Sequence, residues 1–441
     1  MKMSAYRTIV KCVLMSVLPV AAMCGCGSIK TADEASEPEV YVSIAADANF
    51  IRFANRDSIA IYLDRAHEAG FNHVVLDVKP NYGKVLYYSD HLPYLDYIEG
   101  VTPESLGRDW DYLQAFIDEC HKRGMRLSAS FSVMPVGSPY WQRGYCYQDS
   151  IYDDILCVEY KPDGTMDDIR HSRKAAAFLN PARPDVQEYA LTLIKELVGK
   201  YDVDGFSLDY CRYPDAESDF SDFTREAFGD YLALRGDSIV NWPADVMSYD
   251  ADGNRIDGRL INQWWAWRAG VISDFVKTAA EAIHEIKPDV DVEYWAATWI
   301  HALNGSAQNW ASPRSSWCMA YGYGTPEYQA AGFAPYIDVF AAGAYLEIVH
   351  GADNNESIEF AYERADSLLK GDCKLVGSLY AVNHDTIPDN PNNMYNAAMM
   401  SLNKTGNLRV FDISQIDRLG LWPSIRRALD DYKTLGNENN L

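Results

Sequence analysis

The chain has 441 residues, of which 48% are hydrophobic and 23% charged, and its formal net charge at pH 7 is −24. This composition is typical of a folded protein with a sizeable core and excludes a chain that is disordered throughout. Because the charge is strongly negative, nucleic acid and anionic membrane surfaces are poor partners, whereas a neutral or cationic glycan is compatible with it.

The N-terminal residues carry the features of an export signal. Three basic residues precede an apolar stretch over 13–23 that is too short to span a bilayer. The stretch ends just before Cys26, an arrangement that resembles a bacterial lipoprotein signal. We therefore expect a signal peptide over 1–25, lipidation of Cys26, a flexible tether over 26–39 and an outer-membrane location on either its periplasmic or its cell-surface face. An ordinary secretory signal cut nearby is the alternative.

From residue 40 onward, the hydrophobic pattern predicts eight strands that alternate with helices. The predicted strands are 40–46, 72–78, 125–133, 203–209, 290–299, 337–346, 374–382 and 408–413. The predicted helices are 56–69, 109–123, 184–201, 220–235, 263–287, 357–370, 392–404 and 423–435.

This alternation favours an α/β fold in which residues 40–441 form one (β/α)8 TIM barrel. Long loops are expected after strands three and four, over 137–183 and 215–262. An open doubly wound sheet is the alternative, but no glycine-rich phosphate loop follows the first strand.

The fourth predicted strand ends in an acid. Alternation along the strand places Ser207 and Asp209 on one face and Phe206 and Leu208 on the other. In a (β/α)8 barrel the apolar face meets the helices, and the C-terminal rim carries the chemistry. The pattern therefore predicts a carboxylate of Asp209 at that rim, with a capping role before a turn as the alternative.

Several segments together resemble a known family. The most specific are Phe178-Leu-Asn-Pro181 and Tyr201-Asp-Val-Asp-Gly-Phe-Ser-Leu-Asp209, and Ala69-Gly-Phe-Asn-His-Val-Val-Leu-Asp-Val-Lys-Pro80 agrees with them. The chain is similar to the glycosyl-hydrolase-like family ten, whose members are bacterial barrel proteins and often lipoproteins. The resemblance implies a (β/α)8 barrel that acts on glycans, in some members on peptidoglycan strands stripped of peptides, and it carries Asp209 over as a site residue.

The sequence also departs from that family. The family usually has Gln and Arg where Asp77 and Lys79 stand, and Pro-Gln before the Tyr that corresponds to Tyr345. These departures leave the implied fold intact and indicate either a different glycan or a loss of activity.

Cleavage of a glycosidic bond requires two carboxylates that flank it. Asp209 is the first candidate. Glu347 is the second, because it follows strand six and acids on strands four and six serve in barrels related to the α-galactosidases; an ordinary surface Glu is the alternative reading. Asp77 is a rival, and Glu293 is a weaker one, because it lies about six residues before the predicted end of its strand and should be too deep.

Four polar side chains near these acids are candidates for substrate binding. Asp77 and Lys79 share one face of strand two and are expected to form an inward ion pair that binds sugar hydroxyls, with a plain salt bridge as the alternative. Tyr210 and Arg212 follow Asp209, and the guanidinium is expected to keep the carboxyl group of Asp209 ionised.

Five further residues lie at or near the ends of predicted strands or helices. Trp295, Trp299 and Tyr345 are expected to stack on pyranose rings. Asn180 and Asp412 either contact the substrate or cap the helices that follow them.

Other classes of site find little support in the sequence. The histidines lack metal-binding spacing, Gly-x-Ser-x-Gly is absent, and we predict no cofactor and no metal. Cys146 and Cys157 either form a disulfide or remain free thiols. The sequence favours an exported, lipid-anchored glycoside hydrolase acting on a bacterial or dietary polysaccharide, with a non-catalytic glycan-binding lipoprotein on the same barrel as the alternative.

Overall fold

The computed structural model describes residues 37–438, and from Pro38 onward the chain forms one compact unit. The predicted signal peptide, Cys26 and most of the predicted tether lie outside the described residues. Among the helices within 37–438, none combines the length and the apolar character needed to cross a membrane.

Eight parallel strands close into a barrel, which confirms the predicted fold class. Neighbouring strands pair in chain order, and the eighth returns to the first with Leu408 opposite Val40. The strands are β1 (Val40–Ile44), β2 (His73–Lys79), β3 (Arg126–Ser132), β4 (Gly205–Asp209), β5 (Asp291–Ala297), β6 (Val339–Gly343), β7 (Lys374–Tyr380) and β8 (Leu408–Phe411).

Helices surround the barrel close to their predicted positions. Several helices begin after a residue whose side chain caps them. Asn55, for example, accepts a hydrogen bond of 3.0 Å from the backbone N–H of Ser58. The longer helices are Arg56–Glu68, Tyr112–His121, Pro184–Lys200, Asp222–Ala233, Ile261–Ile286, Ile358–Leu369, Met394–Thr405, Ile413–Leu419 and Trp422–Glu438. Short helices cover Ala46–Asn49, Ile300–Gly305 and Pro326–Ala330.

The sixth strand is shorter than predicted. It ends at Gly343, whereas the sequence pattern extended it to Leu346. Ala344 and Leu346 are buried although they lie in the loop, so the apolar pattern continues past the last strand residue. Glu347 therefore lies four residues beyond the strand, whereas the sequence pattern predicted it directly after the strand.

The two faces of the strands form different environments. Outward-facing residues such as Val42, Phe206 and Leu208 belong to the main hydrophobic core between barrel and helices. Inside the barrel, a small separate cluster contains Tyr41, Val75, Val339 and Val376. Large apolar residues thus pack the helices against the outer face of the barrel. The interior of the barrel has room for polar groups at its C-terminal end.

Long loops overhang the C-terminal end of the barrel. The loops after β3 and β4 span 133–183 and 210–260, as predicted, and each carries an antiparallel hairpin. The loop after β5, over 298–338, is also long, and the sequence pattern predicted no element between the fifth and sixth strands. Its α-helices, Ile300–Gly305 and Pro326–Ala330, are too short to show a clear apolar period.

Asn180 and Asp219 connect the loops after β3 and β4. The side-chain amide of Asn180 donates a hydrogen bond of 2.6 Å to the carboxylate of Asp219, and Thr224 donates another of 2.5 Å. All three residues are buried. Asn180 thus has a structural role in this network. Of the two alternatives for Cys146 and Cys157, the structure has the free thiols, and both are buried.

Replacing Asn180 with Ala is expected to destabilise the fold. The substitution removes a donor from the buried carboxylate of Asp219, so the free energy of unfolding should fall by about 1–3 kcal/mol. Urea denaturation of the full chain measures it. The exposed Asn355→Ala serves as the control and should change stability by less than about 0.5 kcal/mol. Equal stabilities of the two variants would contradict the structural role of Asn180.

Candidate active site

A cavity of about 370 Å³ opens at the C-terminal mouth of the barrel. Its wall combines three carboxylates, one guanidinium, serine hydroxyls and aromatic rings. The residues that contribute these groups are Asp47, Asp77, Asp209, Arg409, Ser43, Ser130, Ser132, Tyr210, Trp295, Tyr345 and Phe411. Most of them lie on or directly after barrel strands, so a rigid framework holds them.

Asp209 is the last residue of β4 and lines this cavity. Its Oδ1 accepts a hydrogen bond of 2.8 Å from the backbone N–H of Tyr210, whose φ of 48° is left-handed. Burial raises the pKa of the Asp209 carboxyl group, while that N–H, Arg409 and Arg212 act in the opposite direction. Arg212 therefore opposes protonation as expected, but burial outweighs it.

Asp77 lies on β2 and faces the same cavity. Its Oδ2 accepts a hydrogen bond of 3.3 Å from the backbone N–H of Ala46. Burial raises the pKa of Asp77 to about 8, and the negative charges of Asp47 and Asp209 contribute to the shift. Asp77 is therefore mostly protonated at neutral pH and can donate a proton.

The spacing of Asp77 and Asp209 follows from the strand register. Strand β3 lies between their strands, with Ser130 opposite Asp77 and Ser132 opposite Asp209. Neighbouring strands are about 4.8 Å apart and two strand residues span about 6.6 Å, so the two backbones are separated by roughly 12 Å. Both side chains line the same cavity, so their carboxyl groups share one space.

Asp47 is a third carboxylate at this mouth. It belongs to the short helix after β1, and its Oδ2 accepts a hydrogen bond of 2.8 Å from the hydroxyl of Tyr82. Burial raises its own pKa, which the Tyr82 hydrogen bond and Arg143 oppose. Its charge is one cause of the high pKa of Asp77.

Aromatic rings form one wall of the cavity. The rings of Trp295 and Tyr345 have centroids 5.3 Å apart, and Tyr345 stacks on Tyr380 at 5.1 Å. The indole N–H of Trp295 donates a hydrogen bond of 3.3 Å to Ser378. Gly343 makes room for the indole, because a Cβ atom there would lie 2.6 Å from its ring.

Glu347 is placed away from this cavity. It is exposed in the loop after β6 and does not line the space that holds Asp209. Burial lowers the pKa of His384, and the charge of Glu347 is among the effects that oppose this shift. The carboxylate therefore lies near the loop after β7. Glu293 is also remote from the cavity, since it is buried deep in the barrel and accepts a hydrogen bond from Ser128.

Lys79 does not form the expected ion pair with Asp77. The register of β2 and β3 shifts between the two residues, so they no longer share one regular face. The ammonium group is fully buried and donates hydrogen bonds of 2.6 Å and 3.0 Å to the carbonyl oxygens of Ser132 and Pro135. Burial lowers the pKa of Lys79 to about 7, an effect that Asp77 partly offsets. Lys79 thus holds the end of β3 and the start of the loop after it.

The remaining predicted residues fall into two groups. Asp412 is buried outside the cavity, caps the helix that follows it and accepts a hydrogen bond of 2.5 Å from Asn49. The capping alternative therefore describes Asp412. Asn180 fits neither alternative, because the helix Pro184–Lys200 begins without a side-chain cap and the amide of Asn180 binds Asp219 instead. Trp299 and Arg212 line a second cavity that adjoins the first, and Tyr210 and Trp295 border both.

Sequence reasoning missed two charged residues of the cavity, Asp47 and Arg409. Arg409 alternates with the buried Leu408 and Val410 on β8, and its Nε donates a hydrogen bond of 2.9 Å to Ser43. That alternation was a usable signal for an inward guanidinium. Asp47 follows the end of a strand in a short helix and had no comparable signal. Within residues 37–438, no cluster of three or more His, Cys, Asp or Glu residues is arranged to hold a metal ion.

A closed barrel with acids and aromatic rings at its mouth is the architecture of many glycoside hydrolases. Residues 41–318 match the model of the family described as glycosyl hydrolase-like 10. The chain therefore belongs to this family, as the resemblance in its sequence predicted.

Three curated relatives are similar to the chain. An S-layer-related protein of Niallia circulans is 29% identical over 89% of this chain. Glycosyl hydrolase DigH of Escherichia coli K12 is 32% identical over 33% of it, and glycosyl hydrolase YngK of Bacillus subtilis is 23% identical over 40%. The matches span 24%, 32% and 34% of these relatives, so the chain covers about a quarter to a third of their length.

Solved structures share the fold. The glycoside hydrolase domain of PgaB (BpsB) from Bordetella bronchiseptica superposes with a TM-score of 0.55 at 15% identity and covers 89% of this chain and 99% of that one. A β-galactosidase from Rahnella sp. R3 superposes with a TM-score of 0.58 at 11% identity and covers 92% and 57%. At these identities the likeness concerns the fold alone.

Removing the charge of Asp47 is expected to lower the pKa of Asp77. Since Asp47 is one of the groups that raise that pKa to about 8, Asp47→Asn should make Asp77 titrate at a lower pH. Titration of ¹³C-labelled carboxyl groups by NMR measures the change, with assignment by loss of the signal in Asp77→Asn. An unchanged Asp77 titration would contradict the coupling of the two acids.

Proposed function

We propose that the protein is an exported, lipid-anchored glycoside hydrolase that cleaves O-glycosidic bonds of a polysaccharide with Asp77 and Asp209. The observation that carries the proposal is the pair of acids in one cavity, one of them with a pKa of about 8. Pairs of titratable groups whose environments differ are a mark of acid–base sites. Membership of a glycosyl hydrolase-like family supports the same reaction class.

The roles of the two acids follow from their surroundings. Asp77 is buried and has two other carboxylates around it, so it keeps its proton and donates it to the leaving glycosidic oxygen. Asp209 has Arg409 and Arg212 nearby, and it accepts a hydrogen bond from the backbone N–H of Tyr210. These groups favour the ionised form of Asp209 relative to that of Asp77. Asp209 has one of two roles. It either attacks the anomeric carbon as the nucleophile, or it takes a proton from the water that attacks this carbon.

The charge of the cavity selects the substrate. With Asp77 protonated, the carboxyl groups of Asp47 and Asp209 face a single guanidinium there, so the cavity disfavours anionic sugars relative to neutral or cationic ones. Trp295 and Tyr345 offer flat surfaces on which the apolar face of a pyranose ring stacks. A neutral or cationic polysaccharide of bacterial or dietary origin meets both requirements.

The proposed location rests on the N-terminal sequence. Export and lipid anchoring in the outer membrane are supported by three features: positively charged residues at the N-terminus, a short apolar stretch, and Cys26 after it. An anchored hydrolase would meet polysaccharides in the periplasm or at the cell surface.

A second candidate is a glycan-binding protein without activity. It is favoured by the relative named S-layer-related protein, whose match covers 89% of this chain. The two candidates differ in turnover, because both bind glycans and the hydrolase alone releases new reducing ends.

Substituting the two acids separates the candidates. We expect Asp209→Asn and Asp77→Asn each to reduce turnover by at least roughly 10²–10⁴-fold, because each removes an acid–base group from the reaction. Glu347→Gln, at an acid outside the cavity, should retain turnover near that of the parent. Reducing ends are measured on a panel of chitin, cellulose, xylan and peptide-free peptidoglycan strands.

The panel also has outcomes against the proposal. Normal turnover by Asp209→Asn would contradict the assignment of this acid. Loss of turnover in Glu347→Gln but not in Asp77→Asn would identify Glu347 as the partner instead. Binding of a glycan by the parent without any release of reducing ends would favour the non-catalytic candidate.

A further inference from the structure

A second cavity, of about 700 Å³, adjoins the first on the side of β4 and β5. It is lined by the end of β5 and by the long loops after β4 and β5, and Tyr210 and Trp295 belong to the walls of both cavities. The two spaces therefore meet at these two rings. The proposed cleavage reaction uses the first cavity alone, so the second is unexplained.

The second cavity presents aromatic rings to solvent. Trp299 is 40% exposed and Tyr321 is 41% exposed, so both rings are accessible to a ligand. Trp299 lies parallel to His301 within 2°, with centroids 6.3 Å apart, and Tyr321 stacks on Tyr323 at 5.7 Å. Exposed, mutually supported rings are suited to stacking against flat ligands.

The charged groups around these rings are balanced. Two acids, Asp215 and Glu217, and two cations, Arg212 and Arg255, line the same cavity. Arg212 donates hydrogen bonds of 2.9 Å and 2.8 Å to the carbonyl oxygens of Tyr213 and Pro214. Arg255 forms a salt bridge of 3.0 Å with Asp257. With their cations engaged in this way, the walls suit an uncharged ligand with many hydroxyl groups.

A buried arginine holds the two loops of this cavity together. Arg268 is fully buried and donates hydrogen bonds of 2.6 Å to the carbonyl oxygens of Asp215 and Ser218. It donates another of 3.1 Å to that of Gly305, in the loop after β5. One guanidinium thus links both loops before any ligand arrives, which lowers the entropy lost on binding.

From this geometry we infer that the second cavity binds sugar units that continue from the cleavage cavity, so that the protein cuts within long glycan chains. The inference rests on the proposed function and adds the length of the substrate to it. A cavity of about 370 Å³ is at the small end of ligand sites, and the further 700 Å³ leaves space for several more units. Trp299 is the principal stacking platform.

The test measures binding in an inactive background, apart from turnover. Full-length Asp209→Asn is titrated calorimetrically with the disaccharide and the hexasaccharide of chitin, of cellulose and of peptide-free peptidoglycan. For a series that binds, the hexasaccharide should bind at least roughly tenfold more tightly than the disaccharide, because it alone reaches the second cavity. Adding Trp299→Ala should remove that advantage and leave disaccharide binding unchanged, whereas Trp299→Phe should keep much of it.

Trp141→Ala is the matched control. Trp141 is 56% exposed and lines neither cavity, so its loss should leave both affinities unchanged. Equal affinity for short and long chains, or unchanged hexasaccharide binding in Trp299→Ala, would overturn the inference and leave the proposed function standing. If no glycan binds, both the inference and the proposed function are contradicted.

Discussion

The site depends on burying several carboxyl groups at the mouth of a closed barrel. Closure fixes Asp77 and Asp209 on strands that flank β3, and it forces their charges to share a space with that of Asp47. Like charges in a poorly solvated cavity resist simultaneous ionisation, so the group in the most negative surroundings keeps a proton. The strand framework maintains this arrangement because the apolar outer face of the barrel is packed against its helices.

The departures from the usual family residues meet in or beside this one cavity. Asp77 stands where the family usually has Gln, and it contributes the acid with the high pKa. Lys79 stands where Arg is usual, and it supports the end of β3. Gly343 lies in the altered segment of β6 and admits the ring of Trp295. Together these changes alter the charge and shape of the cavity, while the segment around Asp209 that resembles the family is retained.

Strand periodicity predicted much of the fold and part of the site. Alternation along β4 was enough to place Asp209 at the rim and Phe206 on the outer face, because a regular strand has a strict period of two. The same rule failed at Lys79, where a register shift breaks the period. The rule also predicted too long a strand β6, because Leu346 is buried although it lies in a loop. Glu347 was therefore predicted too close to the barrel. Asp47 reaches the cavity through a tertiary contact that local sequence does not encode.

The central claim is that Asp77 holds a proton more tightly than Asp209 beside it. Neutron diffraction from crystals of the full chain, exchanged into D₂O at neutral pD, observes both groups directly. The account predicts a deuteron on the carboxyl group of Asp77 and none on that of Asp209. A deuteron on Asp209 with Asp77 bare, or two bare carboxylates, would contradict it.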